Sequence, residues 1–159
     1  MAQERATCHR TLAAYPRLAP GAQGRAVRTL QCVLNDAGFG PVTVDGDYGA
    51  QTRAAVKRVF GTFEGVVPKP YVVKHWYWTL LFARSHRMRD LHEGSSGVRV
   101  RSLQRALRAD GASIVVDGDY GPQTAARVRA FQRGCNLGAA TGRVNDSTAF
   151  FLTSGGCGS

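Results

Sequence analysis

The stretch that decides the fold is Asp45-Gly46-Asp47-Tyr48-Gly49, which returns unchanged as Asp117-Gly118-Asp119-Tyr120-Gly121. The residues ahead of each loop repeat as well, since the Leu, Gly, Val, Arg and Gln positions of 18–38 recur with the same spacing in 91–111. A repeat of this extent indicates one small module that is used twice. The chain of 159 residues is therefore interpreted as two modules of about 70 residues, a size that folds with little margin.

Helical periodicity follows the repeat. The apolar residues Val27, Leu30 and Leu34 fall on one face of a predicted first helix, and Gly38 stands where a helix-ending residue is expected. In the second copy the same roles fall to Val100, Leu103, Leu107 and Gly111.

Two more helices complete each predicted module. The second starts at Ala50 or Pro122, and the third spans about 70–83 or 146–152. We therefore predict an all-α fold of two tandem three-helix modules, each stapled by one disulfide. The predicted organisation is an N-terminal strap carrying Cys8 (1–17), module 1 (18–83), a short linker (84–90) and module 2 (91–159).

The four cysteines allow three pairings. We favour Cys8–Cys32 and Cys135–Cys157, because each bridge then closes a loop inside one module and stabilises it by about 3 kcal/mol. The alternative is four reduced thiols in a cytosolic protein. No Cys-x-x-Cys pair is present, so the spacing typical of zinc ligands is absent.

The net charge of +10 favours polyanionic partners, such as nucleic acid or an anionic cell wall. No apolar run approaches the roughly 20 residues of a membrane span. The first residues, Met-Ala-Gln-Glu-Arg, lack the apolar stretch of a signal peptide. If the disulfides form, we expect an exported protein whose given sequence begins at its mature part.

The paired acids of the repeated loop invite comparison with glycosidases, which use two carboxylates. An identical pair in both modules suits a structural turn better than one active site. The loop lacks the further ligands of a calcium site, and the histidines lack zinc spacing. We therefore expect no enzyme activity, no cofactor and no metal.

The repeated motifs carry a family resemblance. The order Val-Arg-x-Leu-Gln-x-x-Leu, then Asp-Gly-x-Tyr-Gly-x-x-Thr, then Val-x-x-Phe-Gln, is clearest in residues 100–132. It resembles the peptidoglycan-binding type 1 domain. The resemblance covers about 18–152 and implies a three-helix module that holds bacterial peptidoglycan without covalent chemistry. The first copy departs from the pattern, with Val59-Phe60 in place of Phe131-Gln132.

The candidate ligand-binding residues are those of the repeated loop and the helices beside it. The tyrosines could stack on sugars or cover the core, the first-helix glutamines could bind a stem-peptide amide or the loop, and the arginines could pair with a stem-peptide carboxylate or face solvent. The candidates are Arg28, Gln31, Asp45, Tyr48, Gln51 and Thr52 in module 1 and Arg101, Gln104, Asp117, Tyr120, Gln123 and Thr124 in module 2.

The resulting hypothesis is a secreted, cell-wall-associated protein that binds peptidoglycan, glycan strand and stem peptide, through two non-catalytic modules. Anionic wall polymers, a protein partner or a wall hydrolase are further expected partners. The alternative is a secreted protein-binding scaffold, an inhibitor or effector, which an exposed apolar patch around Trp76 and Trp78 would favour. Specific nucleic-acid binding ranks third, because no motif for it is present.

Overall fold

A computed structural model describes residues 8–157 of the chain. In this range the ordered elements are helices, and isolated backbone bridges take the place of a sheet. The all-α prediction is confirmed. The helices are α1 (Arg25–Asp36), α2 (Ala50–Phe60), α3 (His75–Ser85), α4 (Val98–Ala109), α5 (Pro122–Gly134) and α6 (Asp146–Thr153).

The predicted apolar faces of α1 and α4 are the buried ones. Leu30 and Leu34 of α1 and Leu103 of α4 are fully buried, as the helical spacing requires. Both helices end at the predicted glycines, Gly38 and Gly111, whose φ angles of 85° and 107° lie in the left-handed region. Each ending is closed by a backbone bond across the last turn, from Phe39 N to Leu34 O at 2.9 Å and from Ala112 N to Leu107 O at 2.9 Å.

The third helix starts later than the predicted residue 70. The chain first forms a backbone pair with the start of the repeat, because Leu18 N donates to Val73 O at 2.9 Å and Val73 N donates to Leu18 O at 2.8 Å. Residues in such a pair are extended, so α3 begins only at His75. In the second copy the corresponding contact involves two residues of the opposite segment, because Val144 N donates to Leu91 O at 2.8 Å and Asp90 N donates to Val144 O at 2.9 Å. There Asn145 caps α6 by accepting a bond from Thr148 N.

Both predicted disulfides are present. Cys8 is bonded to Cys32 and Cys135 to Cys157, with Cα–Cα distances of 5.8 and 5.3 Å. The strap that carries Cys8 is also held by Arg10, which forms an ion pair with Asp36 at 2.6 Å. Each bridge therefore lies within one repeat, where Cys8 is joined to α1 and Cys157 to the residue that follows α5.

The chain forms two compact units, one up to His75 and one from Trp76 onward. This division places nearly all of α3 in the second unit, whereas the repeat assigns it to module 1. Trp78 is fully buried there and stacks on Phe82, with ring centroids 6.3 Å apart. Trp76 is half-buried, and its ring and backbone lie against Gly155.

Within residues 8–157, none of the helices has the length and apolar character that crossing a membrane requires.

Candidate functional site

In the first unit the repeated loop is built around the buried side chain of Gln31. Its Nε2 donates to Asp45 Oδ1 at 2.9 Å, to Asp47 O at 3.1 Å and to Thr52 Oγ1 at 3.0 Å. Its Oε1 accepts the backbone N–H groups of Asp45 and Gly46, both at 3.0 Å. One amide thus joins α1, the loop and the first turn of α2.

The second unit repeats this arrangement around Gln104. Its Nε2 donates to Asp117 Oδ1, Asp119 O and Thr124 Oγ1 at 3.0, 3.1 and 3.1 Å. Its Oε1 accepts Asp117 N at 3.1 Å and Gly118 N at 2.9 Å. Because a primary amide offers two donors and one acceptor oxygen, this glutamine commits its hydrogen-bonding groups to the loop. We call each set, the glutamine with its loop and threonine partners, the glutamine clamp.

Backbone bonds attach each loop to the segment ahead of the first helix. In the first unit Tyr48 N donates to Ala22 O and Gly24 N donates to Gly46 O, both at 2.9 Å. The second unit has the same two bonds at 2.9 Å, from Tyr120 N to Ser95 O and from Gly97 N to Gly118 O. The loop is therefore held from both sides before any ligand arrives.

The loop tyrosines cover the core. Tyr48 and Tyr120 are both 2% exposed, and their hydroxyls donate to the carbonyls of Tyr71 and Gly142. Burial raises the pKa of both phenols. Of the two predicted roles, the structure shows the core-covering one, and a ring this buried offers no face for a sugar.

The repeated arginines lie across the loop glycines. A Cβ placed on Gly46 would come within 3.3 Å of the Arg28 side chain, and one on Gly118 within 3.0 Å of Arg101. Both glycines also have positive φ angles, 77° and 79°, which other residues rarely adopt. The glycines thus let an exposed arginine pass close over each loop.

Hydrogen bonding lowers the pKa of Asp45 and Asp117. The main cause is the bond that each Oδ1 accepts from the backbone N–H two residues on, of Asp47 or Asp119, at 2.9 Å. The amide of the clamping glutamine is the next cause, and the nearby arginine contributes a smaller Coulombic effect. Both carboxylates are therefore ionised parts of the loop.

These lowered pKa values predict acid sensitivity. A carboxyl whose pKa is lower in the folded state stabilises the fold above its unfolded pKa of about 3.9, and that stability is lost as the pH falls through the folded value. We expect the free energy of unfolding to drop as the pH falls below about 4, and less steeply in Asp117→Asn, which keeps an acceptor oxygen but does not titrate. Urea denaturation over this pH range measures both.

Asp119→Asn is the matched control, because Asp119 enters the network through its backbone N–H and carbonyl. Its acid profile should follow that of the unmodified protein. If Asp117→Asn also follows it, the carboxylate of Asp117 does not couple loop stability to pH.

Burial divides the predicted site residues into two groups. The buried group belongs to the clamps and the core cover and consists of Gln31, Tyr48, Thr52, Gln104, Tyr120 and Thr124. The exposed group surrounds the loop and consists of Arg28, Asp45, Gln51, Arg101, Asp117 and Gln123. Only the second group can touch a ligand on the surface, and its role in binding stays a prediction.

Sequence reasoning missed a further clamp in the second unit. Gln132 of α5 is fully buried. Its Nε2 donates to Arg143 O at 2.8 Å and Thr148 Oγ1 at 3.0 Å, and its Oε1 accepts Gly142 N at 3.0 Å. The sequence signal that could have identified this clamp is a helical glutamine, Gln132, followed by Thr148 at the start of the next helix. The same order links Gln104 to Thr124 in the repeated loop. The first repeat has Phe60 at the position of Gln132.

The two halves thus define a class of small helical module that displays a tightly held, arginine-covered loop. The profile of the family described as "Putative peptidoglycan binding domain" matches residues 23–59 and 96–152, more than half of the chain. The chain belongs to this family and contains two tandem copies of its domain, which supports a peptidoglycan-binding role. Comparison with curated proteins and with solved structures found no match.

Proposed function

We propose that this protein binds the bacterial cell wall through both modules, without catalysis, and that this binding serves to anchor or target it to the wall. The observation that supports it most is the duplicated loop, which is fixed in each unit by a fully hydrogen-bonded glutamine. The chain that carries this loop twice is a member of the peptidoglycan-binding family. A rigid loop presents its exposed side chains without a large cost of ordering them on binding. The paired disulfides also fit a secreted protein outside the reducing cytosol.

The exposed arginines are the proposed contacts to the wall. Arg28 and Arg101 hold equivalent places over their loops, and a guanidinium can bind a stem-peptide carboxylate through two parallel hydrogen bonds. Gln51 and Gln123 lie on the first turn of the next helix. Gln51 Oε1 accepts a bond from Thr43 N at 2.9 Å, so we propose that its amide N–H groups, and the carboxamide of Gln123, meet peptide or N-acetyl amides. Two weak sites on one chain then gain strength from simultaneous binding.

The experiment compares Arg28→Ala, Arg101→Ala and the double variant in sedimentation with purified sacculi. We expect each single change to weaken binding about tenfold, and the double variant to lose most of it, because a charge-assisted bidentate bond and the avidity of two sites are both removed. Arg17→Ala and Arg133→Ala, which remove exposed arginines elsewhere, are the controls. If the double variant binds as well as the paired controls, the arginine-covered loops are not the wall site.

The protein-scaffold alternative is less well supported. It predicted an exposed apolar patch around the two tryptophans, but Trp78 is fully buried and Trp76 is half-buried. The wall-binding proposal therefore leads, and no catalytic step is part of it.

A further inference from the structure

The exposed face of α2 forms an open, shallow cationic depression in the first unit, which is called the α2 groove below. Its lining is Ala50, Arg53, Ala54, Lys57 and Arg58, around a volume of about 570 Å³. These positions follow the helical spacing of three and four residues, so they lie on one face. The alanines leave room between three cations, and none of the lining residues is acidic.

Two of these cations are held in place by the protein. The guanidinium carbon of Arg53 lies 4.5 Å from the ring centroid of Tyr71, a distance at which a cation is attracted to the ring face. Arg58 Nη2 donates to Phe39 O at 2.8 Å. Since a guanidinium carries five N–H donors, that one bond leaves Arg58 able to bind an anion as well.

The arrangement is unfavourable without an anion. Arg53 and Lys57 are four residues apart on one helix, about 6 Å along its axis, and like charges at this spacing repel. At the corresponding positions α5 has Ala125, Arg129 and Ala130, so the cluster is specific to the first copy. The shared fold therefore does not require it.

We propose that the α2 groove binds a phosphate-bearing anionic polymer of the cell wall, as a second site beyond the peptidoglycan loops. Closely spaced phosphates on a flexible chain match three cations within two helical turns, and each neutralised charge adds favourable electrostatic energy. A wall polymer is favoured over nucleic acid by the disulfides and the family, which fit an extracellular setting. The proposal does not rest on the role of Arg28 or Arg101.

The test uses the full chain with Arg53, Lys57 and Arg58 all changed to Gln, which preserves helix propensity. The matched control changes Arg127, Arg129 and Arg133 of α5 to Gln, which removes the same charge from the equivalent helix. Both variants and the unmodified protein are sedimented with sacculi that retain their phosphate polymers and with sacculi stripped of them. Circular dichroism confirms that the variants are folded.

We expect the α2 variant to lose about tenfold or more of its affinity for intact sacculi, the order expected for three cation–anion contacts, and to bind stripped sacculi as before. The control variant should lose less than about half of its affinity for intact sacculi. Inorganic polyphosphate, the soluble probe, should lower the affinity of the unmodified protein for intact sacculi to about that of the α2 variant and leave its binding to stripped sacculi unchanged.

Equal losses in both variants would show that only net charge matters and would overturn the proposal. So would loss on stripped sacculi alone, which would assign the α2 face to peptidoglycan itself. If duplex DNA displaces the protein better than polyphosphate and depends on the same three residues, the groove is a nucleic-acid site and the proposal is wrong. Failure of the wall-binding proposal is seen separately, as no binding to stripped sacculi.

Discussion

Replacement of Gln104 by glutamate is expected to lower the free energy of unfolding of the second unit by about 3–5 kcal/mol at neutral pH, the cost of leaving a buried charge uncompensated. The side chain is 1% exposed, so the change removes two donor hydrogens from a site that water does not reach. The new oxygen would face Asp117 Oδ1, 3.0 Å from the present nitrogen, and Asp119 O, 3.1 Å away. Three acceptors would then face one another.

The measurement is urea unfolding followed by tryptophan fluorescence, because both tryptophans, Trp76 and Trp78, lie in the second unit. Gln123→Glu makes the same chemical change on an exposed side chain in the first turn of α5. An acid there is neutral or slightly stabilising. Equal stability of Gln104→Glu and Gln123→Glu would contradict the role of the clamp. The difference in free energy of unfolding between Gln104→Glu and the unmodified protein should become smaller in acid, because protonation of the new carboxylate restores one hydrogen-bond donor.

Removal of the Cys135–Cys157 disulfide by a double change to Ser is expected to destabilise the second unit by about 3 kcal/mol. The bridge spans a sequence separation of 22 residues and fastens the C-terminal end of the described chain to the end of α5. That end contains Gly155, which is buried against Trp76. Releasing it gives the unfolded chain more freedom and loosens the Trp76 environment.

The readout is the same tryptophan transition in urea, together with the native emission maximum, which should move to longer wavelength as Trp76 gains exposure. Ser is a suitable replacement because Cys157 is exposed and Cys135 is half-buried. An unchanged transition midpoint and emission spectrum would show that the C-terminal tail is held by packing alone.

The repeat made most of the fold predictable. Helical spacing placed Leu30 and Leu103 in the core and Gly38 and Gly111 at helix ends, because these features depend on residues close in sequence. The disulfides were predicted from the repeat itself, since each favoured pair lies within one module. The start of α3 was predicted at about residue 70, whereas the helix begins at His75. The backbone pair between Leu18 and Val73 decides it, and such a distant contact leaves no periodic signal.

The candidate site was predictable as a location but not as a set of contacts. Gln31, Tyr48 and Arg28 all became candidate binding residues because each recurs in the second copy. Residues that stabilise the loop and residues that could contact a ligand recur together when a module is duplicated. Only the structure separates them, with Gln31 bonded inside the loop and Arg28 exposed above it. Gln132 was missed as a clamp because Phe60 replaces it in the first copy, which removes the repetition.

The central claim is that this chain recognises peptidoglycan itself rather than any anionic surface. The most direct test is sedimentation of the unmodified protein with sacculi stripped of anionic polymers, at low salt and at roughly 0.5 M salt, where exposed charges are screened over a few ångströms. We predict that binding persists on the stripped wall at high salt, because recognition uses short-range contacts at a rigid loop. Binding that disappears under these conditions would contradict the claim and leave only charge attraction.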